Sequence, residues 1–237
     1  MTISYKSKEE YVKNLFSTIA LRYDLLNTIL SFNCHKRWRK FAAQQCSLKD
    51  GDSALDVAAG TLDFAIELTR SVGGTGQVTA VDFCLPMLEA GILKLKKHKI
   101  ENISVAEGNA EHLPFADDTF QAATIGFALR NVSSIEATIL EMTRVVKPGG
   151  KVVSLELAKP TNRFFRLVYG FYFYKALPLI GGVFHGRLEP YQYLPESLKS
   201  FKTRGEISQI MRESGLDDVR VYDLTGGIVA VHVGTKV

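Results

Sequence analysis

Cysteine, proline and tryptophan are scarce in this chain, which has three, seven and one of them in 237 residues. Cys34, Cys46 and Cys84 form no CxxC pair and are too few for a disulfide scaffold, so they read as reduced thiols of a cytoplasmic protein. Long apolar runs are missing as well. The longest uncharged stretches fall short of the roughly 18–20 residues that span a bilayer, and the polar start Met1–Glu10 leads to no expectation of a secretory leader. Two phosphate-binding signatures are absent: there is no GxGxxG and no GK[ST], which argues against a dinucleotide cradle and a Walker loop. Extreme charge is also lacking, with a formal net charge of +4, 23% charged and 46% hydrophobic residues. Disordered, collagen-like and coiled-coil classes are therefore out.

What is present begins with helical periodicity. Tyr11, Leu15 and Ile19, then Leu25, Leu26, Ile29 and Leu30, recur at helical spacing, and residues 1–50 are read as an N-terminal helical extension over a cleft. His35-Lys36-Arg37-Trp38-Arg39-Lys40 sets basic residues around the single tryptophan. From Asp52 the texture alternates. Strands are predicted at Ser53–Ala58, Gln77–Val81, Ile103–Ala106, Ala122–Phe127 and Lys151–Leu157. Helices are predicted at Thr61–Ser71, Pro86–Lys97 and Ser133–Val146, the last ended by Lys147-Pro148-Gly149-Gly150. Alternation of this kind calls for a parallel sheet covered on both faces and doubly wound. An irregular stretch from Ala158 to Phe201 precedes a helix at Thr203–Glu213. Two closing strands, Val219–Asp223 and Ile228–Val233, flank Leu224-Thr225-Gly226-Gly227 and read as an antiparallel hairpin. Residues 51–237 thus form one α/β domain with an insertion at roughly 160–200.

In such a sheet ligands bind beyond the carboxyl ends of the strands. The first loop, Asp56-Val57-Ala58-Ala59-Gly60-Thr61-Leu62-Asp63, has small residues that let a ligand approach the backbone. Asp82 ends the second strand, 22 residues after Gly60, where a carboxylate can accept both hydroxyls of a ribose; a helix cap is the plain alternative. Asn109 follows the third strand and can offer donor and acceptor to an adenine edge, with Ala110 leaving room for the ring; an Asn turn is the alternative. Arg130-Asn131 follows the fourth strand. Together these describe a nucleoside site without a pyrophosphate loop, which suits S-adenosylmethionine better than NAD. A dehydrogenase fits the sheet but not the loop. A nucleic-acid methyltransferase is encouraged by the basic charge but has no NPPY-type motif where FALRNV stands. A non-catalytic quinone-binding scaffold is the third rival.

The segments DVAAGT-x-D, VTAVDF-x-x-x-ML, GNAEHLPFADDTFQAATIGFALRNV and EMTRVVKPGGKVVSLELAKP resemble the quinone C-methyltransferases of menaquinone and ubiquinone biosynthesis. RYDLLNTILSFNCHKRW and YQYLPESLKSF extend the resemblance over roughly residues 15–235. It implies a class I S-adenosylmethionine-dependent methyltransferase fold, Rossmann-like and mostly parallel, ending in an antiparallel hairpin. It further implies S-adenosylmethionine as methyl donor and a prenylated naphthoquinol as acceptor, with the benzoquinol series as alternative. No metal and no nucleic acid are expected. A homodimer and a peripheral contact with the inner face of the membrane stay open, and basic runs at 35–40 and 94–99 are either solvated helix faces or the source of that contact. By position the resemblance assigns Thr61, Asp82, Asn109 and Ala110 to the cofactor, with Gly60, Asp56 and Gly126 beside them.

One departure stands out. The family's loop reads GTGD where this chain has Gly60-Thr61-Leu62-Asp63. A positive φ at that position would strain leucine by roughly 1–2 kcal/mol. The simpler expectation is that Leu62 already starts the helix and turns into the core. Methylation of a quinol carbon needs an adjacent hydroxyl to lose its proton, so a base or a stabiliser of phenolate charge is required. Candidates are Arg130 with Asn131, then His35, then Tyr23 with Asp24. Arg130 is expected to act electrostatically, since a guanidinium does not serve as a base. Finally, FFRLVYGFYFY (164–174) is aromatic at seven of eleven positions. It is read as a lid helix serving the quinone ring and its prenyl tail, with a core helix as the alternative.

Overall fold

The computed structural model describes residues 7–161, 165 and 189–237. Three helices come first: α1 Lys8–Ile19, α2 Tyr23–Leu30 and α3 Cys34–Gln45, with a single 3-10 turn Ala20–Arg22 between the first two. Strands and helices then alternate as β1 Ser53–Val57, α4 Asp63–Val72, β2 Gln77–Asp82, α5 Leu85–His98, β3 Ile103–Glu107, β4 Phe120–Gly126, α6 Ile135–Val145 and β5 Val146–Leu157. The chain closes with α7 Glu189–Ser200, α8 Arg204–Glu213, β6 Leu216–Leu224 and β7 Val229–Lys236.

The seven strands form one sheet in the order β3-β2-β1-β4-β5-β7-β6. The first five are mutually parallel, and β7 runs antiparallel between β5 and β6. The doubly wound α/β sheet with a closing hairpin is thus as expected. Central β1 shows why. Its residues alternate between two buried faces: Ala54 joins a core with Trp38 and Leu68, while Leu55 and Val57 join another with Ile139, Met142 and Met211. A strand buried on both sides carries no polar face, which is why SALDV reads as a continuous apolar run broken by one acid.

Local chemistry sets the helix ends. Ser134 accepts the Ala137 N–H and starts α6, and Thr203 with Glu206 forms a capping box on α8. The largest departures from the expected elements are two. β5 begins at Val146 and absorbs the Lys147–Gly150 turn, with an irregularity against Phe120 and Ala122. The stretch read as irregular to Phe201 contains α7. The aromatic segment at 164–174 lies, apart from Phe165, outside the described residues.

The basic cluster around Trp38 is only half a solvated face. His35, Trp38 and Arg39 are buried with Ala42 and Ala43, at the i, i+3, i+4 spacing of one helix face, while Lys36, Arg37 and Lys40 are exposed. The Trp38 indole N–H donates to Thr225 Oγ1 at 2.9 Å, and the Arg39 guanidinium lies 5.7 Å from the Phe127 ring centroid.

Candidate active site

The strand order reverses between β1 and β4, and a cavity opens there, over the carboxyl ends of the strands. It holds about 750 Å³ of space, part of it open to solvent. Its floor is made of small residues, among them Ala58, Gly60, Gly108, Ala110, Gly126 and Ala128. Val12 and Phe16 of α1 and Tyr23 of α2 cover it from the other side. Its charged lining consists of Glu9, Asp82 and Glu111; no lysine or arginine lines it among the described residues.

The β1–α4 loop is held from below. Ala58, Gly60 and Leu62 all take left-handed backbone conformations. The Gly60 N–H donates to Asp82 Oδ2 at 2.7 Å, and the Cys84 N–H donates to Asp82 Oδ1 at 2.8 Å. The Phe83 N–H also donates to this carboxylate, which offers about four acceptor positions, so one remains for a ligand. Burial pushes the Asp82 pKa up, opposed by those N–H donors. Asn109 Oδ1 accepts the Glu111 N–H at 2.8 Å in an Asx turn. Its amide nitrogen has no partner among the described residues and is left to donate. Asp82 and Asn109 thus both hold their loops, as cap and as turn, while they line the cavity.

Gly60, Asp82, Asn109, Ala110, Gly126 and Asn131 all line the cavity. Gly126 has a second reason to be glycine, since a Cβ there would stand 2.7 Å from Phe64. Four other candidates do not line it. Asp56 is buried inside the sheet, where its Oδ1 accepts from Thr124 Oγ1 at 2.9 Å; burial pushes its pKa up to about 7. Thr61 turns away and donates to Asp24 Oδ1 at 2.5 Å. His35 is buried in α3, taking a hydrogen bond from Arg39 on Nδ1 and lying 3.3 Å from Thr28 Oγ1 through Nε2. Burial, then Arg39, lowers its pKa to about 4, so it is neutral at physiological pH.

Arg130 departs most from expectation. Its side chain is buried, its Nη1 pairs with Glu156 Oε1, and the same nitrogen donates to the Phe127 carbonyl at 2.7 Å. The guanidinium is paired with an adjacent carboxylate and does not line the cavity, and its buried Nε has no partner among the described residues. Asn131, its neighbour, does line the cavity.

Leu62 resolves in an unexpected way. Its φ of 66° makes it the left-handed N-cap of α4, so the helix starts at Asp63 and not at Leu62. Its side chain does turn into the core and is fully buried. It does not line the cavity.

The sequence reading missed two features. One is the set of roof residues Glu9, Val12 and Phe16: Leu15 and Ile19 of the α1 stripe are buried as expected, but Val12 and Phe16 beside them are the ones that line the cavity. The other is a charged chain fastening α2 and α3 to the loop. Lys94 Nζ lies 2.6 Å from Asp24 and 2.5 Å from Asp63, and Arg39 lies 3.1 Å from Asp63. Burial alone would raise the Asp63 pKa, but Arg39 and Lys94 outweigh it and hold the carboxyl below its ordinary range.

Comparison with known proteins agrees with this geometry. The profile of the ubiE/COQ5 methyltransferase family matches residues 4–236. A protein of Halalkalibacterium halodurans named demethylmenaquinone methyltransferase is 44% identical over 231 residues, covering 98% of this chain and 94% of its own. A Haemophilus ducreyi protein named ubiquinone/menaquinone biosynthesis C-methyltransferase UbiE is 40% identical over 236 residues, covering 99% of this chain and 91% of its own. Among solved structures, a SAM-dependent methyltransferase from Aquifex aeolicus superposes with a TM-score of 0.63 at 21% identity, covering 84% of this chain and 89% of that one. Likeness at that identity is one of fold.

Proposed function

The chain belongs to the ubiE/COQ5 methyltransferase family, and from that premise we propose that it methylates a ring carbon of a prenylated quinol, converting demethylmenaquinol to menaquinol in menaquinone biosynthesis. S-adenosylmethionine is the donor. The observation that carries this reading is the cavity's charge. Three carboxylates and no basic side chain among the described lining suit a cationic sulfonium nucleoside and disfavour a dinucleotide phosphate or a nucleic-acid backbone.

The residues fit that donor. Asp82 has an acceptor position to spare for a ribose, Asn109 has an amide nitrogen to donate to a base, and Gly108 and Ala110 leave room for a ring. When bound, the donor supplies an electrophilic methyl on a positive sulfur. The chain's own work is alignment and exclusion of water. Val12, Phe16, Tyr23, Phe83 and Met87 provide apolar and aromatic walls, and α1 acts as the lid that excludes solvent. At the acceptor end Asn131 hydrogen-bonds the quinol oxygen, and the Arg130–Glu156 pair supports the loop beneath it. His35 takes no part in the proton step, being outside the cavity and neutral above about pH 4.

The naphthoquinol series is favoured by the names of the relatives, seven of the eight given being demethylmenaquinone methyltransferases. Such an acceptor lives in a bilayer, so the protein works from the cytoplasm at the membrane face. Exposed Leu21, Leu25 and Leu93, with exposed Lys96 and Lys97 on α5, support that placement. No helix among the described residues is long and apolar enough to cross a membrane. The test is a quinone profile by mass spectrometry of cells with and without this protein. Loss of menaquinone with accumulation of its demethyl precursor is expected, and an unchanged profile overturns the reading.

A further inference from the structure

Tyr193 belongs to none of the cofactor motifs, yet it touches Asn131, which lines the cavity. It sits on α7, and its hydroxyl donates to Asn131 Oδ1 at 2.9 Å. Its ring packs on Tyr11 of α1, with centroids 5.6 Å apart. Burial pushes the phenol pKa up, so the hydroxyl keeps its proton and remains a donor across the neutral range.

Three further contacts show what is left for Tyr193 to fix. The Arg130 N–H donates to Glu156 Oε2 at 3.3 Å. Lys8 Nζ donates to the Arg130 and Val132 carbonyls at 3.1 and 2.7 Å. The backbone is therefore pinned on both sides of Asn131, and the freedom that remains is the orientation of its carboxamide. An amide can present either its oxygen or its nitrogen to a neighbour. A protonated phenol donating to Oδ1 selects one of the two; Nδ2 then donates one hydrogen to the Phe127 carbonyl at 3.5 Å and has a second to give, and Asn131 and Phe127 both line the cavity.

We propose that Tyr193 is a positioning residue of the acceptor site: by donating to Asn131 Oδ1 it fixes the carboxamide so that the amide nitrogen is presented to the oxygen of the acceptor ring. This rests on the methyltransferase reading given above. It also makes the acceptor site a joint product of α1, α7 and the loop after β4, because Tyr193 is held between Tyr11 and Asn131.

The test uses the full chain as wild type, Tyr193→Phe, Asn131→Ala and the double variant. Tyr193→Phe keeps the ring on Tyr11 and removes only the hydroxyl, and thermal melts check that each variant folds. The Asn131 side-chain amide resonances, identified by their loss in Asn131→Ala, report the contact without turnover. Turnover is read with a short-chain demethylated naphthoquinol, and donor affinity by calorimetry with S-adenosylmethionine. In Tyr193→Phe the Asn131 resonances are expected to move and kcat to fall roughly tenfold, while donor affinity stays within about twofold. The double variant should be no slower than Asn131→Ala alone. Unmoved resonances, an unchanged kcat, or losses that multiply in the double variant would each overturn the proposal. A wild-type protein that transfers no methyl defeats the methyltransferase reading instead, while the resonances still decide the Tyr193–Asn131 contact.

Discussion

Leu62 and Gly91 share one space: a Cβ built on Gly91 would stand 2.4 Å from the Leu62 Cγ. A glycine in the middle of α5 costs roughly 1 kcal/mol relative to alanine, and here it makes room for a leucine that the cofactor loop would otherwise have to expel. The left-handed backbone at Leu62 adds roughly 1–2 kcal/mol of strain, which burial of the whole side chain against α5 offsets.

The pair therefore behaves as a unit. Gly91→Ala alone should destabilise the protein by about 1–3 kcal/mol through overpacking. Leu62→Gly alone should also destabilise it, because a cavity cost of about 2–5 kcal/mol exceeds the strain relieved. In the Leu62→Gly background, however, Gly91→Ala should cost much less than in the wild type, since the clash with the Leu62 side chain is gone and only the Thr61 carbonyl carbon, 3.1 Å away, stays close. Urea denaturation of the four proteins decides this, and additive losses would show that the two residues do not interact.

A second expectation concerns Arg130 and Glu156. Removing one partner of a buried ion pair leaves an uncompensated charge and costs about 3–5 kcal/mol, whereas replacing both with apolar residues is often near neutral. Arg130→Ala should thus lower the melting temperature sharply, and Arg130→Met with Glu156→Leu should recover most of it. A single Arg130→Ala that melts like the wild type would return Arg130 to a direct part in the reaction.

Asp82 is expected to matter twice, for the ligand and for the loop it holds through Gly60 and Cys84. Asp82→Ala should weaken S-adenosylmethionine binding by at least about tenfold, since hydrogen bonds to a charged group are worth about 1.5–3 kcal/mol each. It should also raise amide exchange at Gly60. Calorimetry and hydrogen exchange check the two effects separately.

Asp56 gives a pH dependence with a definite sign. Its folded pKa of about 7 lies above the ordinary 3.8, so between those values the folded state holds the proton more tightly than the unfolded state. Stability from this group is present below about pH 4 and is lost as pH rises through 7. Asp56→Asn keeps an acceptor for Thr124 and removes the titration. The variant should therefore gain stability over wild type at pH 8 and lose that advantage by pH 4, read from melting temperatures across the range. A difference that does not vary with pH would contradict it.

How much of this was legible in the sequence follows from range. The β1 run SALDV and the Leu224–Gly227 turn are local signals, and each produced its element because both are decided by neighbours in the chain. Asp82 and Asn109 were legible because strand ends in a parallel sheet converge on one edge. Arg130 and Asn131 are adjacent in sequence but separate in space. Which of them faces the cavity depends on Glu156, 26 residues on, and on Tyr193, 62 residues on. Thr61 was read toward the ligand because nothing local reveals Asp24, 37 residues earlier, as its partner. Leu62 was half legible: its apolar side chain marked the core, while its left-handed φ is imposed by the loop.

The most direct test of the central claim is methyl transfer in vitro, using methyl-labelled S-adenosylmethionine and prenylated demethylmenaquinol, with the product examined by mass spectrometry and NMR. The label is expected on a ring carbon of the naphthoquinol. Donor binding with no label transferred, or label on an oxygen, would contradict it.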